Sequence, residues 1–131
     1  MSLTINEIEA YLADALEHLY DFSYLGEHPL SRLRVVDSLL VHDQTPLTFV
    51  DRGRALSKAL HVAIDEMAPG ADAGVGHEAR FHVILANAYG QGQENSQVAR
   101  DLSISERTFY RERRRAVHAL AHVVYDMDCN G

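Results

Sequence analysis

Apolar side chains recur along this chain at three- and four-residue steps, the period of a helix that buries one face. Ile5, Ile8, Leu12, Leu16 and Leu19 form the first stripe. Thr4, followed three residues on by Glu7, has the form of a capping box, so a helix is predicted to start there. The aromatic group Tyr20, Phe22 and Tyr24 follows, with Gly26 as a stop. Pro29 suits the first turn of a second helix, where its missing N–H costs nothing, and Leu30, Leu33, Val36 and Leu40 supply the stripe. Residues 43–46 read as a connection. A third helix is expected after Thr48, with Asp51 near its positive end and Phe49, Leu56, Leu60, Ile64 and Met67 facing inward.

The run APGADAGVG at 68–76 is small and glycine-rich, the best candidate for a linker. Beyond it Phe81, Ile84, Leu85 and Ala88 share a helical face that should end near Gly90 and Gly92. A short helix from about Ser96 to Leu102, a tight break and a long helix from Ser105 toward Met127 complete the pattern. Along the last one Phe109, Ala116, Leu120 and Val124 line up. There is no internal repeat, and no Asn-Gly or Asp-Gly turn joins alternating apolar runs. The expectation is all-α: an N-terminal helical module at 1–70, then a helix-turn-helix at 77–131 with a long last helix.

Composition adds bounds. With 47% apolar residues in a chain of 131, a real core can form. No apolar stretch is long enough to cross a bilayer, and the first residues lack the basic-then-apolar plan of a signal peptide. The single cysteine, Cys129, allows no internal disulfide and fits a reducing, cytoplasmic setting. Charge changes the picture more. The net value of −7 by itself argues against nucleic acid, yet residues 1–76 carry five basic and twelve acidic side chains, whereas 77–131 carry seven of each. Five of those last seven basic groups are arginines between Arg107 and Arg115.

The segment SQVARDLSISERTFYRERRRAV has the pattern that two crossing helices need when a short turn joins them. Ala99 is small where the helices would pass closely, and Val98, Leu102, Ile104 and Phe109 are spaced to close a small core. Ser105 is placed to cap the second helix, with Thr108 in its first turn. A helix start with free amides also suits a phosphate oxygen. Glu106, Arg107, Tyr110, Arg111 and Arg114 fall on the side away from Phe109 and Ala116 or on its flanks. Arginine's planar fork matches guanine edges and phosphates. Arg107, Thr108 and Arg111 are therefore assigned to bases, and Ser105, Tyr110, Arg114 and Arg115 to phosphates. Gln97 and Arg100, on the preceding helix, would reach the DNA backbone.

ENSQVARDLSISERTFYRERRRAV resembles the DNA-reading helix-turn-helix in the C-terminal region of sigma factors and in LuxR-type regulators. ISERTFYRERRRAV is especially similar to phage late-gene regulators of the ArpU type. The segment also looks like regulators from filamentous bacteria that join an acidic helical front to it. The resemblance covers roughly residues 80–125, about a third of the chain, and implies a sequence-specific transcription regulator docked on double-stranded DNA. Two positions depart from the pattern. Ser103 stands in the turn where such motifs usually place glycine, and Glu112 and Arg113 stand where a further apolar residue is often found.

A helix with several arginines is more often simply a solvated face. Five in nine residues of an acidic chain, directly after a turn, favour DNA. A lone small helix-turn-helix binds weakly, so a homodimer is expected, and contact with RNA polymerase is a further expectation. Two rival readings remain: a module that contacts RNA polymerase or a sigma factor through protein alone, and the DNA-binding piece of a larger signalling regulator. His118 and His122 are one turn apart, with Asp126 and Cys129 near, but no second ligand pair has metal spacing, so they read as exposed histidines. Tyr11, Tyr20, Phe22, Tyr24 and Phe49 could line a pocket, though such a set is more often core. No phosphate loop, nucleophile elbow or Cys–His arrangement is present. No enzyme, cofactor, metal or membrane association is expected.

Overall fold

The computed structural model describes residues 3–39, 48–67, 77–90 and 94–130, and every regular element among them is helical. The chain is all-α, as its periodicity predicts. Helix α1 (Ile5–Glu17) begins at the capping box read from Thr4 and Glu7: Thr4 Oγ1 accepts the Glu7 amide at 3.2 Å, and Glu7 Oε1 accepts the Thr4 amide at 3.0 Å. Its stripe of Ile8, Leu12, Ala15 and Leu16 is buried. Phe22 and Tyr24 lie inside a short helix, α2 (Phe22–Gly26), started by Asp21, whose carboxylate accepts the Tyr24 amide at 3.2 Å.

The single second helix expected from Pro29 onward does not form. A 3-10 turn (Pro29–Arg32) ends at an extended Leu33, and α3 (Arg34–Leu39) starts afresh. The restart has a tertiary cause: the buried Asp128, near the far end of the chain, accepts the Arg34 amide at 2.6 Å. Leu40 and the connection at 43–46 lie outside the described residues, as does the linker at 68–76.

Helix α4 (Phe49–Glu66) starts where predicted, and Asp51 does more than sit at a positive helix end. It closes a second capping box with Thr48, accepting its amide at 3.0 Å. Those bonds hold the Asp51 carboxyl below its usual range. Two residues further, Gly53 is buried against α2. A Cβ there would stand 1.8 Å from the Phe22 carbonyl oxygen and 2.9 Å from the Gly26 nitrogen, so this crossing requires glycine.

Helix α5 (His77–Leu85) continues through a widened turn (Ala86–Gly90), α6 spans Asn95–Asp101, and α7 spans Glu106–Asn130. Two apolar clusters result. The larger joins α1, the 3-10 turn, α3 and α4 to Leu85, Tyr89 and the second half of α7, from Ala116 to Val124. The smaller holds Ile84, Val98, Ala99 and Phe109. Adjacent residues of α5, Ile84 and Leu85, thus face different clusters, and α7 serves one with each half. Among the described residues no helix is long and apolar enough to cross a membrane.

A polar corner braces the front. His28 is buried, and its Nδ1 accepts the Leu30 amide at 3.2 Å, which places the ring proton on Nε2, 3.1 Å from Asp14 Oδ2. Tyr24 donates to the same oxygen at 2.7 Å, and His18 stacks on the Tyr24 ring at 3.9 Å. Burial pushes the His28 pKa down although Asp14 opposes it, and the Tyr24 bond, followed by His28, lowers Asp14.

Candidate nucleic-acid interface

Helix α6 ends in a Schellman turn. The Ile104 amide reaches back to the Ala99 carbonyl and the Ser103 amide to that of Arg100, both at 3.0 Å. Ser103 sits at φ 59°, the left-handed conformation that favours glycine. The departure noted in the sequence is therefore a residue under backbone strain, held by these bonds. Ile104, folded back by the turn, packs with Leu102 and Ala88 against the smaller cluster. Ala99 is 2% exposed, consistent with a small residue where two helices cross.

Ser105 caps α7. Its Oγ accepts the Thr108 amide at 3.1 Å and donates to Thr108 Oγ1 at 3.0 Å. Phe109 then anchors the helix in the small cluster with no exposed surface. That anchor sets the phase of the rest. At about 100° per residue, Arg107, Arg111 and Arg114 fall within an arc of about 60° on the outward side, and all three are exposed. Arg115 and Thr108 lie on one flank, Tyr110 on the other, and Glu106 is turned further from the centre. Among the described residues no carboxylate pairs with Arg107, Arg111, Arg114 or Arg115.

The preceding helix contributes less. Gln97 and Arg100 are exposed on α6, and the Gln97 amide donates to Asp101 at 2.9 Å. Tyr110, 43% exposed, packs edge-on to Phe109 and carries the Arg113 guanidinium over its ring at 5.1 Å. Arg113 thus turns sideways, away from the outward arc.

Two features escaped the sequence reading. Glu112 is buried within this arginine-rich turn, its carboxylate 3.6 Å from Arg80 Nη1 on α5. The spacing Phe109, Glu112, Ala116 marks an inward position, and that signal was available. The other is an open cleft of about 810 Å³ between the end of α1 and the helix-turn-helix, with Glu17, Tyr20, Asp21, Tyr89, Tyr110 and Arg113 among its walls. Burial pushes the Tyr89 phenol up, with Arg113 opposing and Glu17 adding to the shift. Of the aromatic set considered for a pocket, Tyr20 lines this cleft and Tyr11 a smaller hollow of about 420 Å³. Phe22 is half-buried under the Arg54 guanidinium, Tyr24 bonds Asp14, and the Phe49 side chain lies outside the described residues.

Among the described residues no group of three or more potential metal ligands converges. His118 Nδ1 instead lies 2.9 Å from Glu9 Oε2 on α1, with His122 edge-on to its ring.

The architecture defines an all-α protein whose last two helices form a helix-turn-helix with an arginine-lined outer face. Comparison of the chain with protein-family models, curated proteins and solved structures returned no match.

Proposed function

We propose that this chain is a sequence-specific DNA-binding transcription regulator, with the first half of α7 as its recognition helix. One observation carries the reading: Arg107, Arg111 and Arg114 share an exposed arc of a helix that is capped, anchored by Phe109 and entered through a tight turn. Such an arc fits a major groove, where guanidinium forks can meet guanine edges and flanking phosphates. The Ser105 end of α7, with Arg115 on the flank, supports contact with the backbone, and Gln97 and Arg100 extend it along α6. The acidic surface of the front half limits indiscriminate clinging to DNA. Useful affinity then depends on fit, and pairing of two chains would double the phosphate contacts.

Selection from random duplexes, followed by titration at several salt concentrations, tests the reading. If about four phosphates are neutralised, affinity should fall on the order of a hundredfold between 50 and 200 mM salt. Arg107→Ala and Arg111→Ala should each weaken the selected site by about 1–3 kcal/mol. A wild-type chain that binds no duplex at the lower salt, or variants that bind unchanged, would sink the assignment. A palindromic selected site, together with a dimer mass in solution, would support paired docking through its half-site spacing.

A further inference from the structure

The open cleft of about 810 Å³ between the end of α1 and the helix-turn-helix has chemistry of its own. Leu16, Leu19 and Ala88 give it apolar walls. Its charged groups are three carboxylates, Glu17, Asp21 and Glu94, against one guanidinium, that of Arg113. A concave wall with such a surplus of acid favours a positive guest. Arg107, Arg111 and Arg114 do not line it, so the cleft is separate from the arc proposed for DNA.

Acidic groups alone would say little, because the whole front of the chain is acidic. Tyr89 supplies the second observation. Only 9% of it is exposed, yet among the described residues its hydroxyl has no hydrogen-bond partner. That oxygen is not sealed into the core either, so it opens on the cleft that Tyr89 lines. Buried polar groups are normally paired, and this one is set to be paired from the cleft.

The surroundings decide what kind of group would pair with it. Glu17 is close enough to act on the phenol, and no cation pairs with this carboxylate among the described residues. Glu94 stands at the N-cap of α6 and makes no capping bond, so its charge is uncommitted too. Arg113 would welcome an acid, but it is outnumbered and already lies over the Tyr110 ring at 5.1 Å. An ammonium can donate to a phenol oxygen and to a carboxylate at once. The exposed rings of Tyr20 and Tyr110 offer faces to a flat apolar body behind it.

We propose that this cleft binds a small organic cation, its ammonium held between the Tyr89 hydroxyl and the Glu17 carboxylate and an aromatic body against Tyr20 and Tyr110. The site goes beyond the DNA-binding reading and does not depend on it.

Three probes of one shape test the proposal: phenethylammonium, neutral phenylethanol and anionic phenylpropionate, each titrated into the isotope-labelled chain and followed by amide shifts. The amine should saturate a single site, with the largest changes at Asp21, Tyr89 and Arg113. It should bind about tenfold more tightly than the alcohol, and the acid no better than the alcohol. Tyr89→Phe, which keeps the ring packed, and Glu17→Gln should each weaken the amine by about fivefold or more. Asp126→Asn, at an exposed carboxylate outside the cleft, should leave it within about twofold, because solvent screens that charge. Equal affinity for the three probes, preference for the acid, or no binding at all overturns the proposal. So do shifts spread over the acidic front without saturation, an equal loss in Asp126→Asn, or unchanged amine affinity in either cleft variant.

Discussion

The front of this molecule and its helix-turn-helix are built from the same kind of helix but hold together differently. The front half gathers long aliphatic side chains from α1, α3 and α4 into a continuous cluster, into which the second half of α7 also packs. Among the described residues the helix-turn-helix closes over a cluster of four buried apolar residues, of which Phe109 is the largest. What it lacks in core it makes up in local devices: a Schellman turn at Ser103, a Ser105 cap and the Arg80–Glu112 pair. Charge divides along the same line, with the surplus of acid in the front and the arginines on the first half of α7. A small unit can thus present a highly charged face because its neighbour supplies most of the burial. The cost is dependence on a few contacts.

The largest effect that would test this contrast comes from Phe109→Ala, expected to cost roughly 3–5 kcal/mol. Hydrogen exchange should show α6 losing protection while α1 and α4 keep theirs. Loss of protection at all three together would mean that the two regions unfold as one. Gly53→Ala strikes the other region. Its methyl group collides with the α2 backbone, so a loss of about 3 kcal/mol is expected in denaturant unfolding; a loss below about 1 kcal/mol would contradict the close crossing.

A smaller change of opposite sign should follow Ser103→Gly. Relief of the left-handed strain at φ 59° is expected to raise stability by about 0.5–1 kcal/mol, with the entropy of an added glycine in the unfolded chain taking part of the gain. A lower melting temperature would show that the Ser103 side chain contributes something the backbone geometry does not reveal.

The narrowest prediction concerns pH. Because the folded state lowers the His28 pKa from the ordinary 6.5, the unfolded chain binds more protons just below that value. Stability is therefore complete above pH 6.5 and falls as acid approaches and passes the depressed folded value. The Asp14 carboxyl, also lowered from 3.8, adds a second loss below that pH. Unfolding of His28→Asn, which keeps a side-chain oxygen for the Leu30 amide, should show a flatter profile through the upper window; an unchanged slope there would assign the effect to another group.

Much of this could be read along the chain because it is local. The two capped starts at Thr4 and Ser105, the stripe of α1, the small Ala99 and the special turn at Ser103 each depend on residues a few positions apart. So does the phase of the arginines, which Phe109 sets from within the same helix. Other outcomes were beyond local rules. The break between the 3-10 turn and α3 depends on Asp128, which lies 94 residues from Arg34. The need for glycine at position 53 comes from a backbone brought in by α2, and His28 is buried because α1 and α2 close around it. Glu112 joins the two kinds of information. Its inward position follows from helical spacing, but whether a carboxylate can remain there depends on a cation from another helix. The sequence by itself determined which surfaces each helix offers, since backbone geometry and side-chain periodicity are local. The tertiary structure decided which of those surfaces meet, because burial and charge pairing depend on groups that only folding brings together.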